Sequence, residues 1–463
     1  MHDLRKKAMI QSKKTVSRKA RANPDSEGSR PPSGSSSKNH SPNQSPAGSR
    51  ANSQPASRYA SEDEGSDIDA WATNSGDGDD WDEDDNDDPR WMDQVRDRIT
   101  ELQTRKQNSA QVLLTLRSYV HILRHHFARS EIAPHVETIT TALLRYINNG
   151  SSEQSTLATN ALAVTILTTS SDAAFDAVVS KLKDTVEEAD DEGVKVAALY
   201  ALSLAVIVGG GMAKETEEMA EFLIEIIQSN GSSVDAQDST AVVNAAMQTW
   251  AFVASYINPE ELSVLADQAI QAFIEQLDST NGNVQGNAGA NIAFLFEAER
   301  DYESETGETF DIQHYNHQIM TRLTDIAKHC SRTVSKKDRR DLRSCINSVI
   351  TSLELGKGPG YSTAFRGTNP HTGGTKQTEE RVSGYQKQFR MQEKVIIINS
   401  WSLNARFELL KKVLGGGIAQ HYQQNQAVGG MMEGATERYH LPQNRERAAI
   451  FMEDFMDRFC FGL

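Results

Sequence analysis

The chain has 463 residues, 38% of them hydrophobic, and a formal net charge of −16, so its length allows two or three domains. Charge is divided unevenly: residues 1–58 carry 12 basic and 3 acidic side chains, residues 59–89 carry 14 acidic and none basic, residues 90–330 carry 16 basic and 34 acidic, and residues 331–463 carry 20 basic and 13 acidic. The overall acidity excludes a protein that coats DNA without specificity, whereas the two basic regions leave contact with RNA or phosphate open.

Three cysteines, Cys330, Cys345 and Cys460, are too few for a disulfide framework or a thiolate metal site in a chain of this length. The sequence contains no apolar run of the kind found in signal peptides or membrane spans. We therefore expect a protein of the reducing cytoplasm or nucleus, with no membrane partner.

Residues 1–90 are predicted to be a disordered tail, first basic and then acidic. They are rich in Ser, Pro, Asn and Gly and end in an Asp/Glu run, a composition that buries too little apolar surface to fold. The early basic clusters fit either a nuclear import signal or a solvated tail. Trp71, Trp81 and Trp91 interrupt the acidic run, and this pattern is typical of a short motif that docks on a protein partner.

Residues 91–356 are predicted to form a helical repeat domain. From about Gln107 onward, apolar residues recur at spacings of three and four, which indicates eleven helices up to residue 355 and no strand. A helix pair thus takes roughly 45 residues, the period of HEAT and armadillo repeats. Each pair buries its apolar faces by stacking on its neighbours. The predicted fold is therefore an all-α, armadillo/HEAT-like α-solenoid.

The last predicted helix of this domain, within residues 334–356, has a basic front half. Leu342, Ile346, Val349 and Leu353 share one face, and Gly356 is suited to ending the helix. Two interpretations of its cations are open. They pair with acidic side chains of the solenoid, or they bind RNA phosphates. The further excess of positive charge downstream favours phosphate. The five cations are Lys336, Lys337, Arg339, Arg340 and Arg343.

A flexible linker is predicted at 357–390 and a small C-terminal domain at 391–463. Residues 395–398 read as a short buried strand, and Ser400 is suited to capping a helix. A second helix would carry His421, and residues 448–459 fit a further one. Trp401 has the flat aromatic surface that stacks on a base, although an aromatic residue beside an apolar strand more often belongs to the core.

No pattern of catalytic residues is found along the chain. His121, His125 and His126 lack acidic or thiol ligands at matching spacing, and no HExxH, GxSxG or phosphate-loop motif occurs. The sequence therefore predicts no enzyme, no catalytic residues, no metal, no cofactor and no small-molecule substrate.

Four stretches resemble the interferon-related developmental regulator family. The basic one is the most specific, and the fourth includes Gly417, His421 and Asn425. The stretches are VLLTLRSYVHILRHHF (112–127), NAGANIAFLFEAERDYE (287–303), SKKDRRDLRS (335–344), and Ser400-Trp401 followed by Lys412-Val413-Leu414-Gly415.

The resemblance implies an armadillo-type domain, a small C-terminal domain, no catalysis and a role in gene expression. It implies a helical scaffold that associates with ribosomes or RNA to modulate translation. The alternative is a nuclear transcriptional co-regulator, an adaptor that binds proteins on the concave solenoid face and through the acidic tail. The long Ala/Lys/Arg-rich helix that usually ends such proteins is not found here, since seven basic and seven acidic residues follow Val395. The predicted contact residues are Lys336, Lys337, Arg339, Arg340, Arg343, Trp401 and His421.

Overall fold

The segments in which apolar residues recur every three or four positions form helices throughout the first part of the structure. A computed structural model describes seven stretches of the chain, and the predictions for the N-terminal tail, for the middle of the linker and for a helix at 448–459 lie outside them. The described residues are 90–104, 107–172, 175–329, 335–362, 384–385, 387–391 and 394–439.

Thirteen α-helices lie between Trp91 and Leu355 in these described stretches. Eleven of them are the predicted helices, and a four-residue helix and the first helix are additional. The helices are α1 (Trp91–Gln103), α2 (Ser109–His125), α3 (Arg129–Ile132), α4 (Val136–Asn149), α5 (Ser152–Thr169), α6 (Phe175–Glu188), α7 (Glu192–Val208), α8 (Ala213–Gln228), α9 (Thr240–Ala254), α10 (Pro259–Gln276), α11 (Gly282–Thr306), α12 (Asn316–His329) and α13 (Lys336–Leu355).

Local chemistry sets many of the helix ends. The residue before the helix accepts a hydrogen bond from a backbone N–H of the first turn, which satisfies a donor that has no partner within the helix. At the other end of α13, Gly356 adopts a left-handed conformation with φ of 62°, as its sequence position predicts. Residues that cap helix starts in this way are Asn108, Ser151, Asp191, Ser239, Asn281 and Ser335.

The helices pack in two layers, which confirms the predicted helical solenoid. Helices α1, α4, α6, α8, α10 and α12 form the outer layer, and α2, α5, α7, α9, α11 and α13 form the inner layer. The core lies between the layers. The Trp250 ring, for example, packs edge-on against Phe273 and Phe294, at centroid distances of 4.7 and 6.0 Å. Each apolar face is therefore buried by a neighbouring helix.

Helix α1 is the longer of the two helices that the sequence analysis missed, because its apolar residues stand among an equal number of charges. Val95, Ile99 and Leu102 are nonetheless buried. Trp91, at its start, stacks on His126 with ring centroids 4.7 Å apart. Trp91 thus packs within the folded domain rather than in the acidic tail. Trp71 and Trp81 lie outside the described residues.

Lys195 in α7 is a lysine buried in the helical domain, with 1% of its surface exposed. Its ammonium donates hydrogen bonds to the carbonyl oxygens of Val186, Glu187 and Val234, at 2.7–2.9 Å. Burial lowers the pKa of this ammonium from its usual value. The three carbonyls compensate for lost hydration, so this lysine joins the end of α6 to the following repeat.

Residues 388–439, termed the C-terminal module, combine a small sheet with three helices. Strands β3 (Gln388–Met391), β4 (Lys394–Ile397) and β5 (Thr436–Tyr439) pair antiparallel in that order. The helices are α14 (Trp401–Leu414), α15 (Ile418–Gln424) and α16 (Gln426–Met431). The predicted strand at 395–398 and the Ser400 cap on α14 are both confirmed.

The predicted linker 357–390 has structure at both ends. Strand β1 (Tyr361–Ser362) pairs with β2 (Gly384–Tyr385), and the Gly360 N–H donates to Ser348 Oγ at 2.8 Å. The described ends of the linker are therefore fixed close to α13.

Among the described helices, none is both long enough and apolar enough to cross a membrane.

The fold predicts that Leu295→Asp in α11 disrupts the helical domain. Leu295 is fully buried, and an unpaired buried carboxylate should lower the free energy of unfolding by about 3–5 kcal/mol. Urea unfolding followed by circular dichroism measures this loss. Ser304→Asp, at an exposed position of the same helix, is the matched control and should change stability by less than about 0.5 kcal/mol. Equal stabilities for the two variants would contradict the packing described here.

Candidate nucleic-acid interface

The first turn of α13 presents lysines to solvent. Lys336 and Lys337 are exposed, and neither has an ion-pair or hydrogen-bond partner among the described residues. Arg339 is half-buried, and its Nε lacks a hydrogen-bond acceptor within the described part of the chain. The two lysine ammonium groups are cationic donors whose hydrogen-bonding capacity is left for an external anion, whereas the buried Arg339 Nε is out of reach of one.

The remaining two cations of the basic helix are engaged within the chain. Arg343 donates from Nε to the carbonyl oxygen of Ala327, at 3.0 Å, and so joins α13 to α12. Arg340 is exposed and also takes part in an interaction of its own. That the five cations contact a partner remains a prediction. Arg343 also has a structural role, because it joins α13 to α12.

Trp401 is not available to a partner. Only 3% of its surface is exposed, and its indole Nε1 donates to Ser352 Oγ at 2.8 Å. This bond links the start of α14 to the last turns of α13. The prediction that Trp401 contacts RNA or a partner was therefore wrong, because its ring is a core side chain between the module and the helical domain.

His421 is likewise a core residue. It is fully buried, and its Nε2 lies 2.8 Å from the carbonyl oxygen of Leu123, to which it must donate. Its Nδ1 lies 3.4 Å from the Asn425 side-chain nitrogen, which donates in turn, so the ring is neutral. Burial lowers the pKa of His421, consistent with this assignment. The predicted partner contact by His421 was wrong, because its ring nitrogens are used to attach α15 to α2.

Helix α14 is held at both ends by charged side chains of the inner layer. The Glu297 carboxylate accepts the N–H of Trp401 at 2.7 and 2.9 Å and that of Ser402 at 3.1 Å. At the other end, Arg124 Nε donates to the carbonyl oxygen of Val413 at 2.9 Å. An anion at the N-terminus and a cation at the C-terminus both complement the helix dipole and satisfy unpaired backbone groups.

The Glu297 carboxylate loses most of its contact with water at this position. Burial raises the pKa of its carboxyl to about 7, and the hydrogen bonds from Trp401 and Ser402 offset that rise only in part. The contact between the module and α11 is therefore linked to pH near neutrality.

Further polar contacts fix the module on α2, α5 and α9. Arg406 donates to the backbone oxygen of Ser255 at 2.6 Å and lies 4.4 Å from the centre of the Tyr256 ring. Asn425 donates to the carbonyl oxygen of Leu167 at 2.9 Å. A Cβ on Gly417 would lie 1.7 Å from the carbonyl oxygen of Arg124, so only glycine permits this approach.

Three of the four stretches noted in the sequence meet at this attachment. Leu123 and Arg124 belong to the first, Glu297 to the second, and Trp401 and His421 to the fourth. Their unusual residue types therefore reflect contacts between distant segments rather than partner binding. Sequence reasoning missed Glu297 and Arg124 because, on an amphipathic helix, a charged residue that binds a distant backbone group looks like any solvent-facing charge.

The histidines of α2 form no metal site. His121 and His125 lie with ring centroids 4.5 Å apart. Burial, with nearby His121, His126 and Arg124, lowers the pKa of His125 to about 4. Among the described residues no group of His, Cys, Asp or Glu is arranged to hold a metal ion.

Comparison with known proteins gives one family and two informative relatives. The family model for interferon-related developmental regulators matches residues 59–354, more than half of the chain. An uncharacterized protein of Schizosaccharomyces pombe is 24% identical over 326 residues, which are 66% of this chain and 65% of that protein. Interferon-related developmental regulator 2 of Mus musculus is 28% identical over 184 residues, 40% of this chain and 35% of that protein. The chain thus covers less than two thirds of the length of both relatives.

The raised pKa of Glu297 predicts a pH-dependent stability that Glu297→Gln removes. A carboxyl whose folded pKa lies above its unfolded value stabilises the fold below about pH 4.5 and loses that contribution as pH rises through 7. The amide stays neutral and keeps an oxygen acceptor. The variant should therefore gain on the order of 2 kcal/mol relative to the wild type between pH 5 and pH 8.

Urea unfolding at four pH values between 5 and 8 measures the difference, and histidine titrations common to both proteins cancel. Glu303→Gln, at an exposed position of the same helix, serves as control and should run parallel to the wild type. Parallel curves for Glu297→Gln as well would show that this carboxyl titrates normally.

Proposed function

The chain belongs to the interferon-related developmental regulator family, and from this membership we propose that it regulates gene expression without catalysis, by contacting RNA or the ribosome through α13. In this proposal the helical repeats form the scaffold and modulation of translation is the outcome. In the same proposal the protein acts in the cytoplasm, the nucleus or both, and it needs no cofactor.

The observation that carries the proposal is the exposed cationic turn on an anchored helix. Lys336 and Lys337 have no partner within the described residues, while Ile346 and Val349 of the same helix are fully buried. A rigid helix that presents unpaired ammonium groups suits the phosphate backbone, which such contacts position without reading sequence.

The alternative interpretation is that these cations pair with acidic side chains of the solenoid. For Lys336 and Lys337, the structure gives this interpretation no support. Such pairing would bring a carboxylate within 4 Å of an ammonium, and no described carboxylate lies there. Phosphate oxygens would supply acceptors to both ammonium groups.

The second candidate function is a transcriptional adaptor that binds a protein on the concave solenoid face. The inner layer would form that face, but α14 packs along α2, α5, α9 and α11. A protein partner would have to displace the module there or bind elsewhere. This occupation favours the RNA proposal over an adaptor that uses this face.

The proposal predicts that Lys336→Glu with Lys337→Glu weakens association with ribosomes or RNA. Both side chains are exposed, so the fold should be unaffected. Two lost phosphate contacts should reduce the log–log salt slope of single-stranded RNA binding by about 1.5 units. Sucrose-gradient sedimentation of a lysate should show the wild type with ribosomal particles and the variant shifted to the top fractions.

Lys183→Glu with Lys214→Glu, two exposed lysines of the outer layer, is the control with the same change in net charge. It should sediment like the wild type. A folded α13 variant with unchanged, salt-insensitive association would overturn the RNA proposal and favour the adaptor.

A further inference from the structure

A cleft of about 530 Å³ lies between the inner layer and the C-terminal module, and none of the attachments described above fills it. Helices α9, α11 and α13 form one side, and α14 with the residue before β3 forms the other. Its volume lies within the range of ligand sites, which is about 300–1,000 Å³. A cavity of this size is too large to be a packing defect of the interface.

The cleft opens next to the basic turn of α13. Asp341, Ser344 and Ser348 line it at spacings of three and four, so they form one stripe of the helix. One helical turn before Asp341 and Ser344 lie Lys337 and Arg340, which are exposed. A ligand in the cleft is therefore within reach of Lys337, one of the two lysines that the proposed function assigns to phosphate.

The wall opposite α13 holds an ion pair with spare hydrogen-bonding capacity. Lys387 Nζ donates to Glu408 at 2.6 Å and to Asn404, which leaves one ammonium hydrogen. Burial raises the pKa of Glu408, but Lys387, with Lys411 and Lys412, outweighs it, so the pKa lies below its usual value. The wall thus offers a carboxylate, an ammonium and an amide N–H.

The remaining surface of the cleft is partly apolar. Phe294, Ala290 and Ala405 provide apolar surface, and Gln248 on α9 adds an amide whose oxygen is already bound to the Tyr200 hydroxyl. The Cys345 thiol also lines the cleft, and burial raises its pKa, so it stays protonated. This set of groups suits a polar ligand with some apolar surface, and the protonated thiol is not poised to react with one.

We propose that the cleft takes one unpaired base of single-stranded RNA, guanine above the others, while Lys336 and Lys337 hold the flanking phosphates. The inference rests on the proposed function and adds base recognition to it. Carboxylates at Asp341 and Glu408 repel phosphate, so the backbone stays outside and the base enters. RNA-binding proteins commonly read such unstacked bases on their hydrogen-bonding edges.

Guanine fits because its Watson–Crick edge carries two adjacent donors, N1–H and the N2 amino group, beside the O6 acceptor. A carboxylate accepts from both donors at once, and an ammonium or amide N–H donates to O6. Adenine and cytosine each place a ring-nitrogen acceptor beside one amino group, and uracil has a single N–H between two carbonyls. None of these three edges matches a carboxylate with two donors.

The test uses the full chain and uridine dodecamers that differ at one central position. Fluorescence anisotropy at constant salt should give about tenfold tighter binding when the central base is guanine than when it is adenine, cytosine or uracil. Ser344→Phe places a ring at the edge of the cleft. It should reduce this preference to less than about twofold while the salt slope is retained.

Asn347→Phe, at an exposed position of α13 outside the cleft, is the matched control and should keep the guanine preference. Asp341→Asn, a change of one carboxylate oxygen to an amide, should lose the preference even if Ser344→Phe fails to fold. Equal affinity of the wild type for all four RNAs, or a preference that survives both cleft variants, would overturn the base site. Failure of the proposed function is a separate result, in which Lys336→Glu with Lys337→Glu leaves RNA affinity unchanged.

Discussion

The architecture depends on helix α14, which is held at its N-terminus by Glu297 and at its C-terminus by Arg124. These side chains come from α11 and α2, helices separated by most of the solenoid. One helix therefore bridges the first and the late repeats, and its charges match the helix dipole at both ends. A helical array in which each repeat contacts only its neighbours would otherwise be free to change curvature. The bridge ties distant repeats together and covers the inner layer at the same time.

This attachment divides the chain between structural and functional roles. Trp401, His421 and Asn425 use their polar groups on Ser352, Leu123 and Leu167, so none of them is left for a partner. Buried polar groups of this kind must be paired, because an unpaired one costs free energy comparable to a lost hydrogen bond. The basic turn of α13 has no such constraint. Its two lysines are exposed on a helix that is fixed by Ile346 and Val349, and this contrast makes α13 the part of the scaffold best suited to contact an anion.

Electrostatics also decides where such an anion would bind. The proposed RNA site places cations at the edge of a cleft whose interior contains carboxylates, so phosphate and base are directed to different places. Lys387 illustrates the arrangement, because it neutralises Glu408 and still has one hydrogen to donate. The Glu297 carboxyl, with a pKa raised to about 7, makes the bridge itself sensitive to pH. The proposed recognition site and the attachment of the module thus share the same two helices, α11 and α13.

The sequence by itself determined the helical class, eleven helices, the helix ends at Gly356 and Ser400 and the basic front half of α13. These features are local, since a period of 3.6 residues, a capping side chain or a run of lysines is complete within one segment. Helix α1 was missed because its five apolar residues, although spaced like a helix, stand among five charged residues next to the acidic tail. Only the tertiary structure decided the roles of Trp401, His421, Glu297 and Arg124, and only it revealed the cleft. Each of these depends on atoms brought together from positions 49 to 298 residues apart, and no local pattern records which distant backbone group a side chain will meet.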